Sequence, residues 1–157
     1  MKKILSLLVL LVTFASCEED VKFNDPAVQG LKNDERWKAA QFTATLGGDG
    51  SLTINGTNGF ETLTLRTASI DPGVYELGVN NSSMASFVVN VEGVEMSYLT
   101  GTGIGDGEIE ISGDLNKTDL NRGFISGTFT FNAVGDDGTV VNFRDGVFYK
   151  VPITAIQ

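Results

Sequence analysis

Ile125-Ser126-Gly127-Thr128-Phe129-Thr130-Phe131-Asn132-Ala133 decides the fold class of this chain. Ile125, Phe129, Phe131 and Ala133 fall on one parity, with Thr128, Thr130 and Asn132 on the other. A period of two places the first set on one face of a strand and the second on the opposite face, as a half-buried sheet requires. Threonine and phenylalanine also suit a pleated surface better than a helix. Working outward, the same alternation recurs in Phe42/Ala44/Leu46, Leu52/Ile54, Leu63/Leu65, Tyr75/Leu77/Val79 and Phe87/Val89/Val91. It continues in Val94/Met96/Tyr98, Ile109/Ile111, Val141/Phe143 and Val147/Tyr149/Val151/Ile153.

Turn residues punctuate these runs. They are Gly47-Gly48-Asp49-Gly50, Asn55-Gly56, Asn58-Gly59, Asp71-Pro72-Gly73, Asn80-Asn81-Ser82, Glu92-Gly93, Asp106-Gly107, Asp136-Asp137-Gly138 and Asp145-Gly146. Asn-Gly and Asp-Gly supply the positive φ of tight hairpins. The expectation is an all-β domain, an antiparallel meander of about nine to eleven short strands closing into a sandwich or open barrel. Near its start, Asp25-Pro26 fits a helix N-cap followed by proline at the first helical position. The preferred reading is instead a strand over 27–32, a turn at Asn33-Asp34 and a strand over 35–39 carrying Trp37. Gly48–Gly56 and Gly105–Gly113 share the pattern G-D-G-x-[LI]-x-I-x-G. That echo fits either a duplicated half or two independent turn-plus-strand units.

The N-terminus reads as a lipoprotein export signal. Lys2 and Lys3 precede an apolar run from Ile4 to Phe14, and Phe14-Ala15-Ser16-Cys17 then resembles a lipobox. The run is shorter than the about 20 residues needed to span a bilayer. Cys17 is the only cysteine, so it has no disulfide partner within the chain; acylation accounts for it. The expected organisation is a signal peptide over residues 1–16 cleaved before Cys17, an acidic tether over 17–25 and one all-β domain over 26–157. Glu18-Glu19-Asp20 stands directly after the anchor; an Asp at the first of these positions would resemble an inner-membrane retention signal, and here that position is Glu18. Outer-membrane placement is expected, with the domain facing either the cell surface, as an acidic cluster after the cysteine suggests, or the periplasm.

Charge narrows the partners. Of 11 basic and 20 acidic residues, Lys2 and Lys3 leave with the signal, so the net charge passes from −9 to −11. No basic face for nucleic acid is visible, and membrane attachment is assigned to acyl chains on Cys17. Histidine is absent, which removes His-dependent nucleophilic catalysis and His-based metal sites. No cofactor is expected, and the reading is non-catalytic.

Candidate chemistry is sparse. Gly101-Thr102-Gly103-Ile104-Gly105-Asp106-Gly107 lacks the G-x-G-x-x-G register and the G-K-[ST] of phosphate loops, and reads as a hairpin connection. Asp106, Glu108, Glu110 and Asp114 are weak calcium candidates, since calcium takes several carboxylates. Glu108 and Glu110 share the strand face opposite Ile109 and Ile111, where solvated residues belong. A carboxylate-only hydrolase needs two acids across a cleft, and 20 acids carry no specificity for it. Trp37 and the phenylalanines are core residues or a stacking platform; Phe60, Phe124 and Phe148 fall off the inward parity.

Trp37-Lys38-Ala39, Gly73-Val74-Tyr75-Glu76-Leu77, Ser126–Ala133 and Asp145-Gly146-Val147-Phe148, taken with the lipobox, resemble a family of small Bacteroidetes-type lipoproteins classed as a domain of unknown function. The resemblance covers nearly the whole chain and implies a membrane-tethered all-β domain. It carries over no catalytic residue. The functional expectation is a non-catalytic binding or envelope-associated module whose partner is an envelope protein or a glycan. Its alternatives are a calcium-dependent ligand binder and a carboxylate-only hydrolase.

Overall fold

The computed structural model describes residues 27–155, and every regular element among them is a strand. In chain order these are β1 (Val28–Lys32), β2 (Glu35–Lys38), β3 (Gln41–Leu46), β4 (Leu52–Thr57), β5 (Glu61–Thr67) and β6 (Gly73–Leu77). They continue with β7 (Met84–Val91), β8 (Val94–Leu99), β9 (Asp106–Ile111), β10 (Phe124–Gly135) and β11 (Val140–Ala155). All belong to one sheet in the order β2-β1-β11-β3-β4-β5-β7-β8-β10-β9-β6, with β10 also paired to β11. One wall is therefore β3-β4-β5-β7-β8 and the other is β2-β1-β11-β10-β9-β6.

Two short seams partly close the sheet into a ring. Ile153, Thr154 and Ala155 pair in parallel with Ala44, Thr45 and Leu46. Val134 and Gly135 pair with Leu99 and Tyr98. The all-antiparallel expectation is corrected at the first seam, where β11 crosses from one wall to the other. The two walls meet on Phe143, whose ring centre lies 4.9 Å from Phe131, 5.2 Å from Phe87 and 5.7 Å from Trp37. Such edge-on and offset contacts suit aromatic quadrupoles and add to plain apolar burial.

The strand–turn–strand reading at the start holds. Asn33 and Asp34 have φ of 47° and 68°, the double positive φ of a type I′ hairpin turn. The Asp136-Asp137-Gly138 and Glu92-Gly93 turns also join hairpins. Three expected turns are not turns. Asn55-Gly56 lies inside β4, where Gly56 lets Val28 and Ala39 approach. Asp106-Gly107 opens β9. Asp145-Gly146 is a bulge inside β11, with Asp145 at φ 49°. A second left-handed residue, Lys150 at φ 48°, interrupts the same strand. The two irregularities switch its parity: Phe148 and Val151 are buried, while Val147 and Tyr149 are half-buried. Each left-handed residue adds a step that pure alternation does not count.

The Gly101–Gly107 stretch is likewise no hairpin connection. It runs from β8 in one wall to β9 in the other, tightened by reciprocal Gly101 and Ile104 backbone bonds and by Gly103 N–H donating to Gly78.

Candidate binding groove

The outer face of the β2-β1-β11-β10-β9 wall is concave and holds an open groove of about 770 Å³. Its floor is thin. A Cβ on Gly30 would stand 3.1 Å from the Gly146 Cα, and one on Gly146 would stand 2.4 Å from the Phe129 ring. Only bare backbone lets β1, the β11 bulge and the core phenylalanine stack this closely. Thr128 and Thr130 of β10 face the groove with Gln29, Leu31 and Val147. Arg36 and Lys38 on β2 supply positive charge along one side, and Glu108 on β9 supplies negative charge along the other, with Asp145 between. An open concavity whose lining mixes apolar surface with threonine hydroxyls and charged side chains at its borders suits an amphipathic, extended ligand.

A second, smaller concavity of about 330 Å³ lies beside Asn58, Phe60, Glu61, Val89 and Val91. Glu61 there is a structural clasp. Its carboxylate accepts from Trp37 Nε1 at 2.8 Å and Asn58 Nδ2 at 2.7 Å, and it pairs with Lys32. Burial pushes this carboxyl up, but the bonds from Lys32, Asn58 and Trp37 and the Lys32 charge outweigh it, and the group sits below its ordinary value. The β1–β2 hairpin is thereby tied to β5. Those partners stand 29 and 24 residues from Glu61, so no local pattern could announce them.

The expected site residues scatter. Cys17 and Glu18-Glu19-Asp20 lie outside the described residues. Asp106 accepts from Asn132 Nδ2 at 2.6 Å. Glu108 and Glu110 project outward opposite Thr130 and Thr128, as their parity implied. Asp114 sits in the following loop, where its carboxylate accepts from the Asn116 backbone at 2.9 Å. That bond, above all, lowers its pKa; burial opposes it, and the Asn116 side chain and the charges of Lys117 and Lys150 add to the lowering. Among the described residues no three acids gather in a geometry that could hold a metal ion, so the calcium grouping is not assembled. Asp49 and Asp137 are also lowered, chiefly by the hydroxyls of Ser51 and Thr139, and both close turns.

Trp37 is buried against Phe87 and Phe143 and is core rather than a stacking platform. The off-parity phenylalanines divide: Phe148 is buried, Phe60 is exposed and Phe124 is half-buried. The two G-D-G segments match in burial, with Leu52/Ile54 and Ile109/Ile111 inside, but Asp49 closes a hairpin and Asp106 lies within a strand.

An eleven-stranded, partly closed all-β sheet with an open groove on its outer face is thus the class of protein that fold and site define. The chain belongs to the DUF6252 family, a domain of unknown function, whose profile matches residues 24–152. Comparison with curated proteins and with solved structures found no match.

Proposed function

We propose that this DUF6252 chain is an outer-membrane lipoprotein, acylated on Cys17, whose domain is a non-catalytic module that holds an envelope glycan or an extended protein segment. The observation that carries the binding half is the groove itself: broad, open and floored by glycine, with threonine hydroxyls and Gln29 between Arg36/Lys38 and Glu108. Such a surface offers many weak polar contacts along a chain-like ligand. It does not bring a nucleophile, a base and an orienting group to one point. The anchoring half rests on Lys2-Lys3, the apolar run and the Phe14-Ala15-Ser16-Cys17 motif, and the Bacteroidetes-type resemblance supports it.

Two measurements test the proposal. Cys17→Ser is expected to remove the lipid mass from the mature protein and to release it from the membrane fraction. An array of envelope glycans and peptides, probed with the parent and with Arg36→Glu/Lys38→Glu, is expected to show a ligand class that only the parent retains. A bare Cys17 thiol overturns the anchoring half. An array on which parent and double variant behave alike overturns the groove.

A further inference from the structure

We propose that the loop over residues 112–123 and the β11 bulge at Lys150 form the face that this domain lays against a phosphate-bearing lipid surface. The inference rests on the Cys17 acylation proposed above and names how the tethered domain is oriented.

Leu115 is 78% exposed and Leu120 is 46% exposed, both on this one loop. Lys117 and Arg122 on the same loop, and Lys150 on β11, are exposed cations. The Arg122 guanidinium lies 5.6 Å and Lys150 Nζ 5.5 Å from the Phe124 ring centre, and Lys150 also lies 5.4 Å from that of Tyr149. Apolar tips, aromatic rings and cations together are the interfacial combination that partitions into the headgroup layer.

The charge pattern is selective. Of the other described cations, Lys32, Arg66 and Arg144 sit in ion pairs, and Arg36 and Lys38 line the groove. Two acids belong to the loop: Asp119 accepts from the Asn121 and Arg122 amides, and Asp114 accepts from the Asn116 amide while also lying within the field of Lys117 and Lys150, so the loop and Lys150 together carry three cations against two acids. In a mature chain of net charge −11 (−9 less Lys2 and Lys3), most of the surface is repelled by lipid phosphate, and this face carries a local excess of one cation.

Position supports the same occupant. Tyr149 N–H donates to Ala27 C=O at 2.7 Å, so the chain enters the fold beside this face. Nine residues separate Ala27 from Cys17, so ten steps along the chain give a reach of at most about 35 Å when fully extended. Lys150 is also held at φ 48°, its N–H donating to Ser126 Oγ at 2.8 Å. A long charged side chain in a left-handed bulge is uncommon, and here that conformation places a lysine at the surface beside the incoming chain.

The test places a reporter at the loop. The acylated Leu115→Trp chain is reconstituted in phosphatidylethanolamine–phosphatidylglycerol vesicles with and without brominated acyl chains, and the parent supplies the background of buried Trp37. The expected result is a blue shift of the added indole and its quenching by bromolipid, both lost when Lys117→Glu and Arg122→Glu are added. A chain that floats with the vesicles while the indole stays solvent-like overturns the docking face and leaves the anchor standing. A blue shift without bromolipid quenching overturns it in favour of burial of the loop within the chain or against a second copy. Quenching that survives the charge reversals overturns the role given to the cations. A chain that does not float at all overturns the acylation, and the docking face with it.

Discussion

Glu61 concentrates three elements on one carboxylate, so its chemistry sets a local stability profile. Replacement by Gln leaves an acceptor for Trp37 Nε1 but discards the charge that faces Lys32. At neutral pH this is expected to cost about 2 kcal/mol, the worth of a hydrogen bond to a charged group. Because the folded carboxyl lies below its unfolded value, its contribution is complete above the ordinary carboxylate range. It fades as pH falls through the lowered folded value. Urea melts of parent and Glu61→Gln should therefore differ at neutral pH and converge in acid; a constant difference would show that charge is not the source. Sterics decide a second residue. A Cβ on Gly127 would stand 1.9 Å from the Glu110 carbonyl oxygen and 2.3 Å from the Phe148 ring, whereas one on Gly48 meets nothing within 4 Å. Gly127→Ala is expected to lose about 3 kcal/mol or fail to fold, as severe overpacking does. Gly48→Ala should stay within about 0.5 kcal/mol of the parent in the same melts.

β11 shows what strand patterning reveals and what it hides. The runs Phe42/Ala44, Leu52/Ile54, Leu63/Leu65, Ile109/Ile111 and Phe129/Phe131 were legible because each wall buries one face only, and that imposes a strict period of two. Asp145-Gly146 was misread because the residues that make a hairpin turn also make a bulge: both need positive φ or a missing side chain. Local sequence does not say whether the chain reverses there, and β10 on the neighbouring edge decides that it continues. Lys150 gave no signal at all, since lysine is not a left-handed residue by preference. Its retention at φ 48° carries a prediction. Lys150→Gly removes the Cβ penalty of the left-handed region while adding chain entropy to the unfolded state, so it should raise stability or change it by less than about 1 kcal/mol. The neighbouring Val151→Ala, at a fully buried position, should cost about 2 kcal/mol. Thermal melts of the two variants would separate them, and a strongly destabilised Lys150→Gly would mean that the lysine side chain supports the fold itself.

The groove could not be read from the chain because it belongs to the ring as a whole. Its lining comes from five strands and spans Gln29 to Val147, with each strand contributing one or two outward residues that look like ordinary solvated positions. Only the order β2-β1-β11-β10-β9 puts them side by side, and that order depends on β11 pairing with β1 on one edge and β10 on the other, while its last residues reach the opposite wall. The C-terminal end of β11 is accordingly the closure of the ring. Ile153, Thr154 and Ala155 pair with Ala44, Thr45 and Leu46, and Ile153 N–H also donates to Gly123 C=O at 2.9 Å. A chain ending at Pro152 keeps the Phe124–Pro152 pairing of β10 with β11 but forfeits the parallel seam. At about 1 kcal/mol per net hydrogen bond, the loss is expected to be about 3 kcal/mol. It also bares the edge of β3, and exposed edges recruit other strands. The truncated chain should thus melt earlier in urea and, on gel filtration, show concentration-dependent association absent from the parent. If it matches the parent in both measurements, the parallel seam is dispensable and the two walls hold together on the β8–β10 seam and their aromatic core.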